Sequence, residues 1–162
     1  TKLKNMIVEN CIFCKIAKNE APAYVVWEDE NHIAFLSRAP NTEGVTVVIP
    51  KTHFSSYIFD TTDEVMNNLM IASKEVAKIL ENSFEDVGRV AVVFEGYGIN
   101  HLHTKLFPMH GTNEKDWKPI SSNVNTYFEK YTGYISSHDY RNISEKQLEN
   151  TLSKIKSIKE IK

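Results

Sequence analysis

The stretch Gly98-Ile99-Asn100-His101-Leu102-His103-Thr104-Lys105-Leu106-Phe107-Pro108 sets two histidines and a lysine at alternate positions. A strand repeats its side-chain direction every two residues, so His101, His103 and Lys105 are expected on one face. Leu102, Leu106 and Phe107 are left to serve the core. Two imidazoles and an ammonium in a row could receive an anion such as phosphate, and a neutral imidazole could attack it. Alternating histidines also occur on plain solvated strands, so the rest of the chain must decide between the two.

A second group that could do chemistry is Cys11-x-x-Cys14. A redox pair at this spacing follows a strand within a βαβ unit. No such pattern surrounds it here, which leaves two buried thiols or a pair of metal ligands.

The elements that must position these residues can be read from periodicity. Cys11 to Lys18 reads as a short helix. Tyr24–Glu28 and His32–Leu36 read as a hairpin around Asp29-Glu30-Asn31. Val45–Ile49 is mostly apolar and reads as a central third strand. Thr61-Thr62-Asp63-Glu64 has the spacing of a capping box. After it, Val65, Leu69, Ala72, Val76, Ile79 and Leu80 make one apolar face of a helix over about 62–82. Gly88 to Glu95 reads as the fourth strand and His101 to Phe107 as the fifth. Hairpins, a long helix and two more strands predict an α+β fold with a five-stranded antiparallel sheet.

From Gly111 the pattern changes. Trp117, Tyr127, Phe128, Tyr131 and Tyr134 recur in a polar background, and Ser144-Glu145-Lys146-Gln147 is a further capping box opening a helix. Leu148, Leu152, Ile155 and Ile158 share one side of that helix. The chain is therefore divided into a domain over 1–110 and an aromatic and helical extension over 111–162, packed on the same domain.

Composition narrows the function classes. The 162 residues suit one domain, and 19 basic residues against 21 acidic ones leave a net charge of −2. That balance provides no electrostatic footprint for a nucleic-acid polymer, although a small phosphorylated ligand needs only a local basic site. No apolar run is long enough to span a bilayer, so no membrane partner is expected. Thr1–Asn10 lacks the apolar core of a secretory leader, and a reduced, cytoplasmic setting is expected.

The run His101-Leu102-His103-Thr104-Lys105-Leu106-Phe107 resembles the signature of the histidine triad (HIT) family of nucleotide hydrolases and transferases. Ile12-Phe13-Cys14-Lys15-Ile16, Glu20, Pro22, Glu28-Asp29, Ala34-Phe35 and Val48-Ile49-Pro50-Lys51-Thr52-His53 also sit at family spacing. The resemblance covers roughly Cys11 to Pro108. It implies a HIT-like sheet with one long helix per chain and a homodimer joining two sheets. It also implies that His103, the middle histidine, attacks the α-phosphate of a nucleotide, with His101 and Lys105 as its catalytic neighbours. A covalent nucleotidyl-imidazole would form and then be resolved by water or another acceptor. Ile12, Phe13, Phe35, Ser37, Arg38, Gly96 and Gly98 fall at the positions expected to bind the substrate. Members with the cysteine pair hold structural zinc at the positions of Cys11, Cys14, His53 and His101, a closed set of two thiolates and two imidazoles.

The chain also departs from the family. Lys105 replaces the third histidine; it suits a phosphate oxygen but is a poor proton donor near neutral pH, and a plain surface lysine is the alternative. Ser37 stands where an aspartate commonly binds the ribose, and Phe94 where many members have Asn or Gln. Arg38 either binds a phosphate bidentately or is simply solvated. Gly96 and Gly98 either admit a phosphate close to the backbone or only turn the chain. Among the other histidines, His32 is expected on the surface, His110 in a loop role, and His138 in capping or packing. The expected function is a nucleotide phosphohydrolase or nucleotidyltransferase acting on dinucleoside polyphosphates or AMP-like esters and phosphoramidates. The alternative is a zinc-stabilised nucleotide-binding module with little turnover.

Overall fold

A computed structural model describes residues 8–135 and 140–158. The elements follow as α1 (Ile12–Ala17), β1 (Val25–Glu28), β2 (His32–Leu36), β3 (Thr46–Pro50), a 3-10 turn (Ile58–Asp60), α2 (Asp63–Ser83), β4 (Val90–Val93), β5 (Thr104–Pro108) and α3 (Glu145–Ser157). The five strands form one antiparallel sheet in the order β1-β2-β3-β5-β4, which puts the apolar β3 in the centre as its sequence suggests.

Strand alternation sorts the sheet into two cores. Ala34, Leu36, Val48 and Leu106 face α2 and α3, where Leu69, Val76, Leu80, Leu148 and Ile155 meet them. Ile33, Phe35, Val47 and Ile49 point the other way, onto Phe13, Cys14 and Ile16 of α1. Both faces of β2 and β3 are thus covered, and every residue of the two strands is buried. His32 is buried as well, not on the surface as expected. It belongs to a covered strand, and its Nδ1 lies 3.3 Å from Asp29 Oδ1.

The long helix keeps the predicted apolar stripe but has a different cap. Thr62, not Thr61, accepts the backbone N–H of Val65 at 3.3 Å. The Thr61 hydroxyl instead donates to the Ile58 carbonyl of the preceding 3-10 turn, at 3.0 Å. Inside α2, the buried Ser73 hydroxyl lies 2.8 Å from Thr104 Oγ1 and so ties the helix to the start of β5.

β5 begins at Thr104, three residues later than the alternation predicts. The backbone at Leu102 bonds the Phe54 carbonyl, and both histidine rings bond main-chain carbonyls, so residues 101–103 are taken up by loop contacts. Phe107 is not core with Leu106. It shares the Lys105 side, where the ammonium lies 5.4 Å from the centre of its ring. That is the two-residue period applied to its own neighbour.

Beyond residue 111 the chain first runs exposed, over 113–130. α3 then packs on α2 and β1. Its start is the reciprocal box foreseen, with Ser144 Oγ accepting from Gln147 N and Gln147 Oε1 accepting from Ser144 N. His138 lies outside the described residues. Among the described residues no helix is long and apolar enough to cross a membrane.

His110 has the loop role expected of it. Its Nδ1 lies 3.0 Å from Asp86 Oδ1 and its Nε2 2.8 Å from the Glu43 carbonyl. Two acceptors suit an imidazolium, which donates from both nitrogens. Burial pushes its pKa down, but the Glu43 carbonyl and the Asp86 carboxylate outweigh that and raise it. The His110 bond to Asp86, aided by the Gly111 and Asp86 amides, holds the Asp86 carboxyl below its usual value despite some desolvation. A raised histidine contributes stability below its unfolded pKa of about 6.5 and loses it as pH climbs through the folded value. A lowered carboxyl contributes above its unfolded value and loses this as pH falls through the folded one. His110→Gln should therefore lower the denaturation midpoint more at pH 5.5 than at pH 8.5. Equal losses at the two pH values would refute the charged pairing.

Candidate active site and metal-ligand cluster

A cleft of about 650 Å³ opens on the α1 side of the sheet. That volume lies within the range of small-ligand sites. Its lining joins the apolar side chains of Ile12, Phe13, Tyr24 and Phe35 to the polar groups of His103, Lys105, Glu95, Ser37 and Arg38.

His103 lines this cleft with only 7% of its surface exposed. Its Nδ1 donates to the carbonyl of His101 at 2.7 Å. That bond assigns the proton to Nδ1 and leaves the Nε2 lone pair unprotonated. The ring is steadied by Phe13, edge to face at 5.3 Å between centres. Burial lowers the His103 pKa; the His101 carbonyl and Glu95 pull it up, and Lys105 pushes it down, with a net lowering. The imidazole is therefore neutral at neutral pH, the form in which it can act as a nucleophile.

His101 does something else. It is fully buried and does not line the cleft. Its Nε2–H donates to the Pro50 carbonyl at 2.9 Å, which turns the Nδ1 lone pair towards Cys11 Sγ at 3.4 Å and Cys14 Sγ at 3.5 Å. His53 Nδ1 lies 3.3 Å from Cys14 Sγ. The four ligand atoms all fall within 4.8 Å of one another, and the two cysteines are free and buried. On a tetrahedron with bonds of about 2.3 Å to sulfur and about 2.0 Å to nitrogen, the S···N edges would be about 3.5 Å. The observed edges match, and the Pro50 carbonyl is the kind of outer partner that orients a ligating imidazole. Burial and the neighbouring Cys11 push the Cys14 thiol up to about 11. Burial pushes His101 down to about 4 and lowers His53. A bound cation reverses this preference for the thiols by holding them as thiolates.

Of the positions expected to bind substrate, Ile12, Phe13, Phe35, Ser37, Arg38 and Gly98 line the cleft with His103 and Lys105. Gly96 does not. It has a φ of +67°, and a Cβ there would sit 2.6 Å from the Ser56 carbonyl oxygen, so its role is the tight turn. Ser37 Oγ already accepts the Ala39 amide at 3.3 Å. Arg38 lies 5.9 Å from the centre of the Tyr24 ring, a cation–π distance. Phe94 packs against the larger core instead of reaching a phosphate. Glu95 and Tyr24 are cleft residues missing from the expected set; the sequence places each at the end of a strand, but only the packing of α1 on the sheet turns them to the cleft.

Comparison with known proteins agrees with this fold. The HIT domain matches residues 18–112, and the chain belongs to the HIT family. It is 34% identical over 135 residues to the Bacillus subtilis protein called Protein hit, across 72% of this chain and 92% of that one. It is 33% identical over 102 residues to adenosine 5'-monophosphoramidase HNT1 of Saccharomyces cerevisiae, across 60% of this chain and 61% of that one. A zinc-bound histidine triad family protein from Mycobacterium smegmatis shares the fold with a TM-score of 0.61 at 21% identity, across 96% of this chain and 99% of that one.

Proposed function

We propose that this chain is a nucleotide hydrolase or nucleotidyltransferase that works through a covalent nucleotidyl-His103. The observation that carries the reading is the bond from His103 Nδ1 to the His101 carbonyl, which presents a neutral Nε2 in a cleft that Lys105 and several apolar side chains also line. The nucleoside would rest against Ile12, Phe13, Tyr24 and Phe35, and the α-phosphate would lie between His103 and Lys105. In the first step Nε2 forms a bond to phosphorus, the bond to the leaving group breaks, and the leaving group takes a proton from solvent. In the second, water attacks the same phosphorus and gives up a proton to solvent, the P–N bond breaks, and the nucleotide leaves with the neutral imidazole restored. The yeast relative's activity on an adenosine phosphoramidate supports a substrate of this class, with dinucleoside polyphosphates and AMP-like esters as its chemical kin. Mixing protein with such substrates and quenching early should give an intact mass raised by one nucleotidyl group. No adduct and no turnover across adenylates and guanylates would leave a nucleotide-binding module, a reading favoured by Lys105 in place of a proton-donating histidine.

Cys11, Cys14, His53 and His101 fit zinc, and in our reading they hold it as a closed structural site. With all four positions taken by protein, the metal supplies rigidity, not a Lewis acid. It would fix His101, whose carbonyl in turn fixes the His103 tautomer.

The share of Lys105 can be measured. If its ammonium holds a phosphate oxygen, Lys105→Ala removes a charge-assisted bond of about 1.5–3 kcal/mol. kcat/KM for an AMP ester should then fall by about ten- to a hundredfold. An unchanged kcat/KM would make Lys105 a bystander.

A further inference from the structure

Next to Glu95 of the cleft stands a group of tyrosines for which the core has no use. Tyr97 is 83% exposed, although it sits between Glu95 and Gly98, which both line the cleft. Its ring meets Tyr131 edge to face at 5.8 Å. Tyr131 belongs to the segment after the domain, 34 positions further on, and its hydroxyl donates to the carboxylate of Glu95. Behind it, Tyr134 packs at 5.0 Å, and Phe128 stacks on Tyr134 at 5.3 Å and 14°. The segment is otherwise exposed over 113–130 and returns to the domain here. One bond satisfies a cleft-lining carboxylate, and the same contact builds an aromatic surface beside the site of phosphate chemistry.

We infer that Tyr97, braced by Tyr131, forms a stacking platform for an aromatic ring in the leaving half of the substrate. The inference rests on the proposed nucleotidyl chemistry and deepens it. With the nucleoside half against Ile12, Phe13, Tyr24 and Phe35, the departing half is left Glu95 and Gly98, the cleft residues that flank Tyr97 in sequence, and Glu95 is the residue that Tyr131 bonds. An exposed tyrosine offers a flat π face at little entropic cost, and aromatic rings stack on such faces with little regard to their substituents. The platform selects conjugates whose leaving group carries an aromatic ring over those with a plain alkyl group. The Tyr131 hydroxyl also takes up one acceptor of Glu95, which turns part of that carboxylate away from an anionic substrate.

The test uses the whole chain and two adenosine 5'-phosphoramidates, of 2-phenylethylamine and of butylamine. These amines have similar basicity and differ in the ring. Wild type should favour the aryl amide by about tenfold in kcat/KM, within the range of one stacking contact. Tyr97→Ala should bring the ratio close to one, whereas Tyr97→Phe and Tyr131→Phe, which keep the rings, should preserve most of it. The ratio is independent of the fraction of folded enzyme, so partial instability of a variant does not obscure it. A ratio near one in wild type, or an unchanged ratio in Tyr97→Ala, overturns the platform. If neither amide is turned over, equilibrium binding of the same pair decides, and the nucleotidyl-transfer reading itself fails only when adenylates and guanylates likewise give no adduct and no turnover. A preference for the aryl amide that Tyr97→Ala removes supports the platform; equal affinities overturn it.

Discussion

His103→Ala should lower turnover of an adenosine phosphoramidate by a thousandfold or more, about 4 kcal/mol of lost transition-state stabilisation. Loss of a nucleophile is among the largest single-residue effects in enzymes, because nothing else can form the covalent bond. The substitution also leaves the His101 carbonyl without its 2.7 Å donor, at a cost of about 1–3 kcal/mol in stability. The two effects can be separated. His103→Gly opens the space of the ring, and added free imidazole should restore part of the rate without changing the thermal midpoint. His103→Ala activity within a few-fold of wild type would sink the nucleophile assignment.

The second large effect concerns the cluster of Cys11, Cys14, His53 and His101. Protein purified without chelator should contain one zinc per chain by elemental analysis. Removing it, or replacing Cys14 by serine, should cost about 4 kcal/mol or more. For a chain of this size that is a fall of about 10 °C in the thermal midpoint. Zinc binding in small peptides reaches about 10–16 kcal/mol. The smaller figure is expected here because α2 and the larger core stand without the metal. Thiol protons compete with the cation, and the Cys14 thiol is raised to about 11, so the zinc-dependent part of stability should shrink as pH falls. A chain that carries no metal from zinc-supplemented growth, and whose midpoint ignores chelator, would refute the site.

Both predictions draw on residues that the sequence displays and on relations that it hides. The α+β class, the hairpin, the central β3 and the apolar stripe of α2 are local patterns with periods of two or about 3.6 residues, and they survive in the structure nearly residue for residue. Helix caps depend on one hydrogen bond each, which is why Ser144 was legible and the choice between Thr61 and Thr62 was not.

The site divides along the same line. The alternation of His101, His103 and Lys105 and the spacing of Cys11 and Cys14 could be read directly, because each lies within a few residues. Alternation alone, however, gives the two histidines the same task. What separates them is tertiary: Pro50, 51 positions before His101, offers the carbonyl that turns the His101 ring towards the cysteines, 87 and 90 positions away. The burial of His32, the presence of Glu95 in the cleft and the bond from Tyr131 to it likewise arise from contacts between distant segments. Residue types and short spacings determined which chemistry this chain can carry. Packing decided which imidazole faces the cleft, because the direction of a ring is set by the partner its second nitrogen finds.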